Sequence, residues 1–170
     1  MMTDSRLIQH LAAQNKNYSD SYSSKGIPGQ AGKGLLLLTC MDSRIVPHEI
    51  FGLEIGDMKV IRNAGGQLNP EVEKDIVLAS HILNCHTVVI LPHTKCAMAS
   101  MALEDVRRKL TDLSNLDFSN FNPRMIHDAE TKLESDVLSL QNNPMLKEGV
   151  QVFGAVYDVD TGEVNWIDNS

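Results

Sequence analysis

Three short apolar runs, Leu35 to Thr39, Lys59 to Arg62 and Thr87 to Leu91, constrain the fold more than any other feature of the chain. Each is Leu-rich or β-branched and continuous instead of alternating, the pattern of a strand buried on both faces of a parallel sheet. Between the second and third runs, Asn69-Pro70-Glu71 reads as an N-cap with Pro at the first helical position. It leads into Val72, Ile76, Ala79 and Leu83 on one face, a crossover helix. Periodicity predicts further helices from about Ala97 through Leu113 and from Pro123 to Leu140. The chain closes with an expected hairpin, Val150 to Val159 and Glu163 to Asp168, around a turn at Asp160-Thr161-Gly162. Strand and helix in alternation argue for an α/β fold with flanking helices, whose mostly parallel central sheet gains an antiparallel C-terminal strand.

Ahead of the sheet, Asp4 to Asn17 places Leu7, Ile8, Leu11 and Ala12 at helical spacing, which predicts an N-terminal helical arm with a narrow apolar stripe. Ser19 to Gly34 reads as an irregular connector. Its Gly32-Lys33 pair does not make a phosphate loop: five residues separate Gly26 from Gly32, Gly34 stands where Ser or Thr is needed, and the segment precedes a strand. With 170 residues the expectation is a single domain, residues 1–33 forming the helix and connector and 34–170 the α/β core.

Charge and composition narrow the possible partners. Lys+Arg 15 against Asp+Glu 22 leaves −7, with no basic cluster to offset it, so nucleic acid is excluded as a partner. Ile76 to Thr94 lacks charged residues over about the length of a bilayer span, but His81, Asn84, His86, Pro92 and His93 interrupt it, and no membrane association is expected. The polar start, Met1 to Arg6, carries no apolar export signal, which leads to an expectation of a cytoplasmic protein. Three cysteines, Cys40, Cys85 and Cys96, are an odd and small number for a disulfide scaffold and direct attention to thiol or metal chemistry.

In open parallel sheets, ligands collect at the carboxyl ends of the strands. Cys40 directly follows the first run and Pro92-His93 the third, so Cys40-Met41-Asp42-Ser43-Arg44 and His93-Thr94-Lys95-Cys96 emerge on one edge. Two thiolates and one imidazole supply three ligands, and Zn²⁺ with three protein ligands keeps a fourth position for water, as catalytic sites do. A single cysteine is more often a small buried hydrophobe, and Cys85, at a helix–strand junction, is read that way. A phosphatase-like reading of Cys40 with Arg44 fails because three intervening residues are too few to cradle a phosphate. His48, His81 and His86 are read as packing or surface residues.

With these motifs in view, the sequence resembles the β-class carbonic anhydrases. The resemblance rests on Cys40-Met41-Asp42-Ser43-Arg44, on Gly56-Asp57 leading to Val60-Ile61-Arg62-Asn63-Ala64-Gly65-Gly66, and on His93-x-x-Cys96, and it covers about Leu35 to Met98. It implies zinc on Cys40, His93 and Cys96, and a catalytic dyad of Asp42 and Arg44. Asp42 serves as a conditional fourth ligand when the Arg44 pairing breaks. It also implies a homodimer or homotetramer in which the N-terminal helix packs on a second subunit. Two thiolates cancel the charge of Zn²⁺, so the site needs help to hold hydroxide. An ionised Asp42 can accept a hydrogen bond from that hydroxide and aim it, while Arg44 keeps the carboxylate charged. Cys96, at the start of the following helix, is expected to gain from the helix dipole.

The implied reaction is attack of metal-bound hydroxide on a small linear carbon electrophile, carbon dioxide first, with carbonyl sulfide or carbon disulfide as the alternative. A zinc-binding member without turnover is a third reading, against which intact Asp42 and Arg44 argue. Gly65 and Gly66 could line the substrate pocket with backbone N–H groups, although a plain turn explains them equally well. Two positions depart from the family pattern: Lys95 where Asp is frequent, and Ala97 where Gly usually follows the second cysteine. Ala97 is therefore the expected determinant of substrate shape in the pocket.

Overall fold

The computed structural model describes residues 4–167. Helix α1 (Asp4–Asp20) precedes β1 (Leu35–Cys40), and a short α2 (Pro47–Phe51) leads to β2 (Met58–Asn63). The crossover helix α3 (Pro70–Ile82) and β3 (Thr87–Leu91) follow, then α4 (Ala97–Ser100), α5 (Leu103–Ser114) and α6 (Ala129–Gln141). The chain closes with β4 (Gln151–Tyr157) and β5 (Val164–Trp166). The strands form one sheet in the order β2-β1-β3-β4-β5, parallel except for the antiparallel β4–β5 pair. No helix among the described residues is long and apolar enough to cross a membrane.

Burial on both faces explains the continuous apolar runs. Leu36 and Leu38 of β1 and Val88 and Ile90 of β3 face a core completed by Val72 and Ile76 of α3 and Leu133, Val137 and Leu140 of α6. Leu37 of β1 and Val89 and Leu91 of β3 face the opposite core with Ile45, Met58 and Ala155. β2 is an edge strand, which is why Lys59 and Arg62 are tolerated within its run. The Thr39 hydroxyl, fully buried, donates to the Leu91 carbonyl at 2.6 Å and ties the carboxyl ends of β1 and β3 together.

Helix α3 begins as its sequence signals predict: Asn69 accepts from the N–H groups of Glu71 and Val72, and Pro70 occupies the first turn. Three local expectations need correction. The helix expected from Ala97 through Leu113 breaks at Met101 and Ala102, both extended. Unbroken, it would have the Met98 carbonyl accept from Ala102, but that carbonyl accepts from Ile126 N–H at 2.8 Å. The helix expected from Pro123 starts at Ala129, capped by Asp128, whose carboxylate accepts from Glu130 and Thr131 N–H. Helix α2 was not anticipated, although Pro47 in its first turn and Gly52 at its left-handed C-cap delimit it. The hairpin forms with a shorter second strand; Asp168, its expected end, lies outside the described residues.

Helix α1 is amphipathic as expected, but Leu7, Ile8 and Leu11 are exposed. On the sheet face that carries α2, Leu35, Phe51, Leu53, Val89, Phe153 and Trp166 line an open apolar groove of about 630 Å³. It lies toward the amino ends of β1 and β3, away from the edge that carries Cys40 and His93.

Gly66 is the backbone position on which this edge leaves least freedom. Its φ is +64°, and a Cβ there would lie 2.9 Å from Cys40 N and 2.9 Å from the Thr39 carbonyl carbon. Gly66→Ala is expected to destabilise the fold by roughly 1–3 kcal/mol, seen as a lower denaturant midpoint at unchanged slope; an unaltered midpoint would show that the turn relaxes freely.

Candidate metal centre

Cys40 is the last residue of β1, His93 follows β3 after Pro92, and Cys96 is the N-cap of α4. Their Sγ and ring nitrogen atoms all lie within 4.8 Å of one another, and all three residues are buried. The segment around His93 is fixed to β4: Tyr157 N–H donates to Pro92 O at 2.9 Å, Thr94 N–H to Tyr157 O at 2.9 Å, and Val159 N–H to the Thr94 hydroxyl at 3.1 Å. Lys95 adopts φ +57° and carries the chain through the turn between His93 and Cys96. Its ammonium pairs with Asp160 in the β4–β5 turn.

The imidazole of His93 is set for a cation. Its Nδ1 lies 2.8 Å from the Thr94 carbonyl, which can only accept, so the proton sits on Nδ1 and Nε2 keeps its lone pair. Nε2 is buried and has no hydrogen-bond partner among the described residues. A buried acceptor left unsatisfied is costly, and two thiols beside it complete a soft N,S,S donor set suited to zinc. The residues therefore fit the metal that the resemblance implies.

Cys40 Sγ is met by a backbone donor. Gly65 N–H lies 3.4 Å from Cys40 Sγ. At Cys96, burial and the neighbouring Cys40 push the thiol upward, while the backbone N–H groups of Met98 and Ala99 pull it down; the net direction is up. The expected help from a helix dipole thus reduces to two N–H groups of a four-residue helix, and it does not outweigh burial. A bound cation supplies the compensation that the helix does not.

Asp42 and Arg44 form a bidentate pair: Nε donates to Oδ1 at 2.9 Å and Nη2 to Oδ2 at 2.8 Å, with Arg44 backbone N–H also on Oδ1 at 2.9 Å. These bonds hold the Asp42 carboxyl well below the usual carboxylate range, so it is ionised at any pH near neutrality. Its Oδ2 lies 3.8 Å from His93 Nε2, beside the candidate ligands and too far for a direct hydrogen bond. Sequence reasoning gave Arg62 no role, yet its Nε donates to Cys40 O at 2.9 Å and its Nη2 to Asp42 O at 2.6 Å. The signal was present as an arginine next to the end of β2, directly after the apolar Val60-Ile61 pair.

The remaining sequence candidates are placed as follows. Gly65 and Gly66 are buried beneath Cys40, the first with its N–H on the sulfur, the second pressed on the Thr39–Cys40 backbone. Ala97 is exposed at the start of α4, next to Cys96. Cys85 is buried in the α3 core, His81 contacts the Met145 carbonyl at 3.0 Å, and His86 is exposed; none of these three residues belongs to the Cys40–His93–Cys96 cluster.

Comparison with known proteins agrees with this geometry. The family model described as carbonic anhydrase matches residues 35–164. Beta-carbonic anhydrase 1 of Mycobacterium tuberculosis is 26% identical over 153 residues, covering 90% of this chain and 93% of that protein. A carbon disulfide hydrolase of Acidithiobacillus thiooxidans is 26% identical over 158 residues, covering 82% of this chain and 78% of that protein. Among solved structures, the carbonic anhydrase of Streptococcus mutans superposes with a TM-score of 0.87 at 27% identity, covering 99% of this chain and 100% of that one. An α/β sheet that brings Cys40, His93 and Cys96 together beside an Asp42–Arg44 pair, matched over this span, shows that the chain belongs to the β-carbonic anhydrase family.

Proposed function

We propose that the chain is a zinc enzyme that interconverts carbon dioxide and bicarbonate, CO₂ + H₂O giving HCO₃⁻ + H⁺. The observation that carries this reading is the buried, unpartnered Nε2 of His93 between two cysteine sulfurs, with an ionised carboxylate alongside. Cys40, His93 and Cys96 would hold the metal. Zinc bound there supplies the Lewis acidity that makes a water molecule nucleophilic near neutral pH.

The chain's own residues do the rest. Asp42 presents an ionised oxygen to the space beside His93 Nε2, where it accepts a hydrogen bond from the attacking water and fixes the direction of its lone pair. Arg44 keeps that oxygen charged through two parallel bonds, and Arg62 holds the backbone on either side of Met41 so that the carboxylate stays in place. Because the pair lowers the Asp42 pKa, the pairing persists throughout the neutral range and is lost only as pH falls below the usual carboxylate range. A protein that merely stored zinc would have no use for this arrangement.

Carbonyl sulfide hydrolysis, COS + H₂O giving H₂S + CO₂, is the second reading, and carbon disulfide is its close variant. It is favoured by the relatedness to a carbon disulfide hydrolase and by Ala97 beside ligand Cys96. Stopped-flow proton release measured beside sulfide release separates the two. We also propose that α1 and the apolar groove are covered by a second copy, since both leave large apolar side chains exposed in the single chain.

Asp42→Asn is expected to keep its metal and lose turnover by about 100-fold or more, whereas Cys40→Ser is expected to lose zinc by elemental analysis. Unchanged activity of the first, or full zinc in the second, would refute these assignments. Ala97→Gly removes the methyl next to Cys96 and is expected to shift the ratio of carbon dioxide to carbonyl sulfide turnover by up to several-fold, at the low end of the roughly 1–3 kcal/mol that a methyl enclosed in a pocket is worth, because Ala97 is exposed. A shift with Lys95→Asp but none with Ala97→Gly would assign substrate preference to charge. Light scattering at micromolar concentration is expected to give a dimer or tetramer mass; a monomer would leave α1 without its proposed partner.

A further inference from the structure

The turn beneath Cys40 and the helical turn that carries Cys96 belong to different parts of the chain, and one buried side chain joins them. Gly65 N–H faces Cys40 Sγ from the turn after β2. In the first turn of α4, Ala99 N–H donates to Cys96 O at 3.0 Å. Asn63 closes the first turn, its Oδ1 accepting from Gln67 N–H at 2.9 Å and its Nδ2 donating to Gln67 O at 2.8 Å. Gln67 is 3% exposed, and its Nε2 donates to Ala64 O at 3.2 Å and to Arg124 O at 2.9 Å. Two residues beyond Arg124, Ile126 N–H donates to Met98 O at 2.8 Å.

One amide nitrogen therefore ties the turn under Cys40 to the segment that holds the turn under Cys96. The packing there leaves no slack: a Cβ on Gly65 would lie 2.7 Å from Gln67 Nε2 and 2.9 Å from Ile126 Cδ1. A neutral NH₂ group is the side-chain chemistry this place requires, because it serves two carbonyls at once without burying a charge.

We propose that Gln67 is a positioning residue of the metal centre, whose Nε2 bridge keeps the turn beneath Cys40 and the turn that carries Cys96 in register. Gln67 touches neither sulfur and acts only through the Ala64–Gly65 and Arg124–Ile126 backbone. The proposal rests on reading Cys40, His93 and Cys96 as zinc ligands. Groups that orient metal ligands from behind typically change metal affinity by about 10–100-fold when removed.

The test uses the full chain loaded with zinc, and separately with cobalt as a spectroscopic probe. Gln67→Met keeps the side chain's length and removes both donated bonds. It is expected to release zinc to a competing chelator at least about 10-fold more readily and to move the thiolate-to-cobalt absorption band. Asn143→Met removes a buried amide bond to Glu73, 2.6 Å in length and outside this network; it is expected to lower stability and leave zinc retention and the band unmoved. A folded Gln67→Met that retains zinc like the unaltered chain, with the same cobalt band, would overturn the proposal.

Should Gln67→Met fail to fold, hydrogen exchange on the unaltered chain decides. Removing zinc is expected to expose the amides of Gly65, Ile126 and Ala99 together; exposure confined to one side would overturn the link. If the unaltered chain takes up neither zinc nor cobalt, the metal reading itself fails and takes the proposal with it, a result distinct from normal uptake by both proteins.

Discussion

A buried imidazole nitrogen with a lone pair and nothing to donate to it is the constraint around which this structure is arranged. Thr94 O fixes the proton of His93 on Nδ1, and the protein offers Nε2 no partner among the described residues. Leaving such an atom unsatisfied costs about 1–3 kcal/mol, and burying two thiols beside it makes an anionic pair still less favourable in the absence of a cation. The upward shift at Cys96 has the same origin. A divalent cation on the three atoms would resolve all of these at once and would couple metal binding to the stability of this sheet edge.

The sheet makes the cluster possible. Cys40 and His93 come from strands hydrogen-bonded side by side, with Thr39 on Leu91 O tying their ends, so the spacing of the two ligands is set by the parallel ladder. The loops that leave this edge are tied to rigid neighbours: Pro92 to Thr94 to the end of β4, and Cys40 to Asp42 to the Arg62 guanidinium. Candidate ligands and an Asp42–Arg44 pair fixed in this way suit the proposed small substrate, which would offer few contacts of its own.

The sequence made β1, β2, β3 and α3 legible because their signals are local. Strands buried on two faces, as β1 and β3 are, must be apolar at almost every position; β2 keeps an apolar Val60-Ile61 centre, and Asn69-Pro70 states where a helix starts. The candidate ligands were legible as Cys and His at strand ends, and the roles proposed for Asp42 and Arg44 come from the resemblance. What escaped was non-local. The break between α4 and α5 has no Gly or Pro to mark it and follows from Ile126 N–H taking the Met98 carbonyl. Helix α2, at five residues, is too short to show a period. The bonds of Arg62 cross to a neighbouring strand and the loop beyond it, and only the folded sheet reveals them.

X-ray absorption at the zinc edge of the metal-loaded chain tests the central claim most directly. The account requires two sulfur neighbours at about 2.3 Å and one imidazole nitrogen near 2.0–2.1 Å, with an oxygen completing four-coordination. A shell containing only nitrogen and oxygen, or one with a single sulfur, would contradict the assignment of Cys40, His93 and Cys96.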